Sequence, residues 1–211
     1  MGTLKNRCVI IGGGDCSVQL LKSNITDNDY IICADSGYDI AEKTGIKPDL
    51  LIGDFDSIKA FPENVSTITL PVEKDVTDSV AAFNEGLKNC FNSFVLFGGT
   101  GGRFEHTFAN VSLMANASKS GLSFMIIDET HIFRCITNSS LKIERKNNQQ
   151  ISVFAYGDKA YGVTEKGFYY KLENYTLDPF NGALGISNHI IDEYGEIFVE
   201  NGTVIVIETQ V

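Results

Sequence analysis

The sequence has no tryptophan, only three histidines and only four prolines in 211 residues. With four prolines and 20 glycines, a fibrous class is excluded. No apolar stretch approaches the ~20 residues that a membrane-spanning helix needs. The opening MGTLKNRCVIIGGG has only a three-residue apolar run before its glycines, too short for a signal-peptide core. Asn6 stands where a myristoylation signal needs Ser or Thr. The five cysteines (Cys8, Cys16, Cys33, Cys90, Cys135) are odd in number and form no Cys-x-x-Cys pair, and Cys8 and Cys33 sit in apolar runs as small hydrophobes. A reduced, soluble, cytoplasmic protein is expected. Positive charge is also short: 17 Lys and Arg face 27 Asp and Glu, a formal net charge of −10. Such a surface repels phosphate backbones and disfavours nucleic-acid binding. A polyanionic substrate would need a metal cation to bridge it to the carboxylates.

What is present suits a globular chain, since 43% of residues are hydrophobic, enough for a sizeable core. Up to residue 127, short apolar runs alternate with helical patterns. Runs at 7–11, 30–34, 50–53, 66–70, 93–97 and 122–127 read as strands, most of them continuous enough to be buried on both faces of a parallel sheet. Between them, residues 77–91 place Val80, Phe83, Leu87 and Phe91 on one helical stripe behind a Thr77 N-cap. Residues 104–119 do the same with Phe104, Phe108, Val111 and Ala115, and Gly121 is available to end that helix. This alternation predicts an α/β domain with a mostly parallel, Rossmann-like sheet over 1–127. From residue 128 the helical period disappears. Runs at 151–156, 167–172, 196–200 and 203–208 are strand-like, and glycines punctuate them. Asn201-Gly202 between the last two runs predicts a type I′ hairpin. An all-β domain over 128–211 follows. The basic stretch 142–146 (KIERK) reads as a solvated strand edge or turn.

Acidic residues are dense in the first half. Between Asp15 and Asp56 nine acids face three lysines. Asp35, Asp54 and Asp56 fall where strands stop, and Asp75 and Asp78 open the helix after the fourth strand. In an open α/β sheet, ligands bind beyond the carboxyl ends of the strands, so these acids would converge there. Their mutual repulsion is relieved by a divalent cation, and Mg²⁺ prefers a few carboxylates, waters and phosphate oxygens. If Gly53-Asp54-Phe55-Asp56-Ser57 is extended, Asp54 and Asp56 share one side while Phe55 turns into the core. Taken singly, an Asp at a strand end or N-cap more often serves the backbone. Asp27, Asp29, Asp39 and Asp49 keep that structural reading; the joint pattern of the other five carries the chemistry.

A glycine-rich turn, Gly98-Gly99-Thr100-Gly101-Gly102, joins a strand end to the helix start Arg103-Phe104-Glu105-His106. Unobstructed backbone N–H groups beside a helix N-terminus make an anion site, and Arg103 suits a phosphate or a base. The alternative is a tight turn and nothing more, but its coupling to Arg-x-Glu-His favours function. The first turn, Gly12-Gly13-Gly14-Asp15, matches neither the dinucleotide fingerprint nor Walker A and reads as a phosphate-side or structural loop. Of the histidines only His106 stands in such a motif; His131 and His189 read as ordinary β-domain residues. No nucleophile triad and no Cys/His metal spacing occurs.

Ala34-Asp35-Ser36-Gly37, the stretch from Gly45 to Ser57, Glu73-Lys74-Asp75-Val76-Thr77-Asp78 and the glycine motif ending at His106 together resemble the thiamine pyrophosphokinase family, in the family's order. Leu184-Gly185-Ile186-Ser187-Asn188 is similar to its thiamine-side motif. The resemblance covers nearly the whole chain. It implies an N-terminal α/β catalytic domain, a C-terminal β-sandwich that binds thiamine, and a homodimer with composite sites. It further implies transfer of the pyrophosphoryl group of ATP to the hydroxyl of thiamine with Mg²⁺, giving thiamine diphosphate and AMP. By motif, Asp54, Asp56 and Asp78 correspond to metal and phosphate carboxylates, and Asp75 joins them as a catalytic candidate. Asp35, Lys74, Gly99, Thr100, Gly101, Gly102, Arg103 and His106 fall on the nucleotide side, while Ser187 and Asn188 fall near thiamine. Two departures stand out: Glu105 replaces the family's usual Asp, and Ser36 replaces a Gly. Two other readings compete. A glycosyltransferase explains Asp-x-Asp but not the glycine loop with Arg103. A non-catalytic thiamine or nucleotide sensor does not need so many like charges.

Overall fold

The computed structural model describes residues 5–55, 65–71, 76–181 and 185–210. It divides into two compact units, residues 1–113 with 126–129, and residues 114–125 with 130–211.

In the first unit, β1 (Arg7–Ile11), β2 (Asp29–Ala34), β3 (Leu50–Gly53), β4 (Ser66–Thr69) and β5 (Ser93–Phe97) are ordered β4-β3-β2-β1-β5, and each of these neighbouring pairs is parallel. The continuous apolar runs arise because β1, β2, β3 and β5 are covered on both faces: Val9, Ile10, Ile11, Ile32, Leu51, Val95, Leu96 and Phe97 are buried to 2% exposure or less. Each such side chain contributes roughly 1.5–3 kcal/mol. β4 is the solvated edge and correspondingly polar. Buried Asp29 accepts from the N–H of Thr26 as well as from Arg7 at the start of β1, so it serves the backbone, as its position suggested.

Helices α1 (Val18–Asn24), α2 (Gly37–Thr44), α3 (Asp78–Lys88) and α4 (Phe104–Lys119) follow strands. Thr77 does cap α3, accepting from the N–H of Val80. Its buried face, however, is Ala82, Phe83 and Gly86, while Leu87 is exposed. The apolar stripe expected on α4 is also displaced. Phe104 and Phe108 are 78% and 59% exposed, and the buried positions are Asn110, Leu113, Met114, Ala115 and Ala117. α4 and β6 (Ser123–Ile127) each contribute residues to both units.

The second unit is all-β apart from the end of α4. β7 (His131–Thr137), β13 (Thr203–Gln210) and β9 (Gln149–Ala155) are antiparallel neighbours in that order. β8 (Ser140–Glu144), β10 (Ala160–Lys166), β11 (Leu172–Leu177) and β12 (Tyr194–Phe198) form a separate antiparallel sheet, ordered β11-β10-β12-β8. One buried cluster draws on both sheets, including Val153, Val163, Phe168, Ile197 and Val204. The basic stretch at 142–146 lies on and after edge strand β8.

The expected hairpin is absent. Gly202 does adopt φ +118, but Asn201 is not in the left-handed region that a type I′ turn needs at both positions. β12 pairs with β8 and β10, whereas β13 pairs with β7 and β9, so this turn sends the chain from one sheet to the other. No helix among the described residues is long and apolar enough to cross a membrane.

Candidate functional site

Strand order reverses at β1: the chain builds β2, β3 and β4 to one side of it, then places β5 on the other. That reversal is the switch point of the sheet, and α/β sheets bind ligands beyond the carboxyl ends of the strands there. Both glycine turns lie there. The N–H of Gly12 donates to the carbonyl of Phe97 at 2.8 Å, Gly14 to Gly98 at 2.9 Å and Asp15 to Thr100 at 3.1 Å. The first turn, ambiguous in sequence, is a brace for the second. A Cβ at Gly14 would lie 2.4 Å from the Thr100 carbonyl oxygen, which is why a side chain is excluded. Gly98 adopts φ +62 to make the turn.

These loops line a cavity of about 360 Å³ together with Asp35, Ser36, Thr77, Asp78, Arg103, His106 and Asn110. Asp35 follows β2 with φ +48. Its N–H donates to the Ile52 carbonyl at 2.8 Å, which ties the end of β2 to β3. Asp78 begins α3, where a carboxylate interacts favourably with the helix dipole. Arg103 bonds to the ring of His106 and pairs with Glu105 at 3.3 Å. That pair is about 70% exposed on both sides, a weak contact that leaves the guanidinium available to a ligand. Thr100 bonds to Asp128 at 3.0 Å, and Ser17, the N-cap of α1, bonds to Glu129 at 2.7 Å through its N–H.

The structure thus brings Asp35, Asp78, Gly99, Thr100, Gly101, Gly102, Arg103 and His106 to one cavity. Asp54 leaves the end of β3 and is not part of that lining. Asp56, Lys74 and Asp75 lie outside the described residues. Phe55 is buried, as expected, but at φ +59, so the Asp54–Phe55 backbone is not extended. A bulky residue held there is a local strain of the kind found at functional sites.

Asn110 carries no sequence motif by itself, yet it is 6% exposed and its amide donates to the Gly99 carbonyl at 2.8 Å, anchoring the turn. Its spacing from Arg103 and His106, seven and four positions, places all three on one helix face, a signal available in the sequence.

Among the described residues, no three His, Cys, Asp or Glu side chains form a ready metal cage. The cavity instead offers hard carboxylate oxygens from Asp35 and Asp78. Cys16, the thiol that follows the first glycine loop, is pushed up to about 11 by burial and by Glu129 and does not line the cavity. This donor set suits Mg²⁺, which takes one or two carboxylates and completes its shell with water and phosphate oxygens.

In the second unit, Ser187 is exposed at φ +55, and its N–H donates to Ser152. Asn188 is 3% exposed and fully engaged: its amide donates to Glu165 and to the Tyr170 carbonyl, and its oxygen accepts from the N–H groups of Tyr170 and His189.

Residues 21–126 match the model of the thiamin pyrophosphokinase catalytic domain, and residues 138–204 match that family's vitamin B1 binding domain. The chain is 27% identical to the thiamine pyrophosphokinase of Bacillus subtilis (strain 168), over 98% of this chain and 99% of that protein. The crystal structure of thiamine pyrophosphokinase from Bacillus subtilis superposes with a TM-score of 0.89 at 24% identity, covering 97% of this chain and 99% of the other. That of yeast thiamin pyrophosphokinase gives 0.77 at 15% identity, covering 97% and 86%. With a catalytic-domain model spanning half its length and the vitamin-binding model following in order, the chain belongs to the thiamin pyrophosphokinase family of enzymes.

Proposed function

We propose that the protein transfers the pyrophosphoryl group of ATP to the hydroxyl of thiamine, releasing AMP and thiamine diphosphate. The observation that carries this reading is the convergence of two interlocked glycine turns, Asp35, Asp78 and Arg103 on one cavity at the sheet's switch point. Backbone N–H groups of the 98–102 turn and the N-terminus of α4 would hold phosphate oxygens, and Arg103 would clamp them. Asp35 and Asp78, with Asp54, Asp56 and Asp75 by their place in the sequence motifs, would be the carboxylates for Mg²⁺. When bound, that ion neutralises charge spreading over the phosphoryl oxygens. Asp78 or Asp75 would accept the proton that the thiamine hydroxyl loses as it attacks the β-phosphorus. Residues 1–127 would serve nucleotide and metal, and 128–211, folded as a sandwich, would serve thiamine through Ser187 and the turn built on Asn188.

A cytoplasmic homodimer with composite sites completes the reading. Exposed aromatic surface supports it in each unit, Phe104 and Phe108 in the first, Tyr169, Tyr170 and Phe180 in the second. Light scattering of the purified protein checks the dimer. The activity is tested by mixing protein, ATP, Mg²⁺ and thiamine and resolving the products. AMP with thiamine diphosphate is expected; ADP with thiamine monophosphate would overturn pyrophosphoryl transfer.

A further inference from the structure

The turn that carries Ser187 and Asn188 is held by a carboxylate to which the proposed reaction gives no role. Glu165 on β10 is 2% exposed. Its register partners are Leu172 on β11 and Ile197 on β12, neither of them charged. Glu165 Oε2 accepts from Asn188 Nδ2 at 2.8 Å, and Oε1 is buried with no hydrogen-bond partner among the described residues. Burial pushes this carboxyl up to about 7, against the opposing bond from Asn188. An apolar side chain would fill the same space without that penalty, so packing alone does not explain an acid here.

What the acid holds is specific. The Asn188 nitrogen that meets Glu165 also donates to the Tyr170 carbonyl at 2.7 Å, and Asn188 Oδ1 accepts from the N–H groups of Tyr170 and His189 at 3.0 Å each. One buried amide therefore links two exposed stretches. The Tyr169 ring stacks on His189, with centroids 4.8 Å apart and planes at 20°, and meets Tyr170 edge-on at 4.9 Å. Tyr169 and Tyr170 are 58% and 64% exposed. This ordered aromatic surface, whose His189 lies two positions after Ser187, fits a flat heteroaromatic cation, and thiamine carries a thiazolium and a pyrimidine ring.

We infer that Glu165 is a positioning residue for thiamine: acting through Asn188, it fixes the Tyr169–Tyr170 and Ser187–His189 stretches in the shape that receives the vitamin. The inference rests on the proposed function and names a further residue for it. Asn188 has no amide hydrogen left for a ligand, so its part is to hold shape.

The test uses the full-length enzyme with Glu165→Leu, Glu165→Gln and Glu165→Asp, varying thiamine and ATP separately and titrating thiamine alone by calorimetry. Losing the acceptor in Glu165→Leu raises the KM and Kd for thiamine about tenfold, while kcat and the KM for ATP stay within about twofold. Glu165→Gln keeps an acceptor for Asn188 and returns thiamine binding to within about threefold of wild type. Glu165→Asp withdraws the acceptor by a methylene, gives the same selective rise, and decides the matter if the leucine variant does not fold. Unchanged thiamine affinity in folded variants, or a loss shared equally with ATP, overturns the inference. Wild type that binds thiamine without converting it overturns the proposed reaction, and a selective loss in the variants then still supports Glu165's role in binding. Wild type that neither binds nor converts thiamine overturns both.

Discussion

The N–H of Gly14 donates to the carbonyl oxygen of Gly98 at 2.9 Å, so the loop after β1 fixes the loop after β5. Two segments more than eighty positions apart in sequence thereby act as one cradle, and its rigidity is paid for in conformational freedom only once, on folding. Any side chain at Gly14 pries them apart. Gly14→Ala puts a methyl 2.4 Å from the Thr100 oxygen and 2.5 Å from the Gly98 oxygen. Urea unfolding is expected to show a loss of about 1–3 kcal/mol, and the KM for ATP is expected to rise more than that for thiamine. Equal stability and unchanged ATP kinetics would remove the bracing role.

Asp78 stands at the first turn of α3 on the cavity wall. Asp78→Asn keeps its shape while removing charge, so kcat is expected to fall by about 10²-fold or more with little change in melting temperature. Stopped turnover in EDTA, restored by Mg²⁺, is expected of the wild type. Full turnover of Asp78→Asn at saturating Mg²⁺ would clear this carboxylate of any part in the chemistry.

Asn110 secures the Gly99 carbonyl from α4. Asn110→Leu should lower kcat/KM for ATP and destabilise the fold by about 1–3 kcal/mol, because a buried carbonyl loses its donor. Comparing ATP and thiamine kinetics of the variant, alongside its unfolding curve, separates this from a general loss of fold.

Glu165 sets a pH dependence of stability whose sign is definite. Its ordinary value near 4.5 is raised to about 7 in the fold, so the folded state binds the extra proton between those values. Stability from this group is full below pH ~4.5 and is lost as pH rises through about 7, on the order of 3 kcal/mol across the window. Glu165→Gln should flatten that slope in denaturant titrations from pH 5 to 8. Asp29 acts oppositely at lower pH. Burial raises its carboxyl, but the bonds from Arg7 and Thr26 outweigh burial and leave it lowered, so its contribution disappears only under acid.

Much of the α/β half was readable because strands covered on both faces must be apolar throughout: the runs at 7–11, 50–53 and 93–97 coincide with β1, β3 and β5. Helix α1 escaped notice because seven residues hold too little periodicity. The α4 stripe misled because Phe104 and Phe108 are exposed while a polar residue, Asn110, turns inward to serve a carbonyl. Asn201-Gly202 misled for another reason. A turn motif reports local backbone preference, and sheet membership is decided by partners far away in sequence. At the site, the placement of the glycine motif and Asp35 at strand ends was legible. The left-handed backbone of Phe55 was not, since no local preference favours a bulky residue there and only its surroundings hold it.

The passage of the chain at Gly202 from one sheet to the other has a consequence for biosynthesis. β13 lies between β7 and β9 and bonds to both, yet it leaves the ribosome roughly fifty residues after β9 is complete, and such long-range pairing is slow to form. Until then β7 and β9 each present a bare edge to the crowded cell. The nascent protein therefore passes through an interval of vulnerability that a holding chaperone would shield, and a ribosome stalled before residue 203 would display β7 and β9 without the strand that joins them.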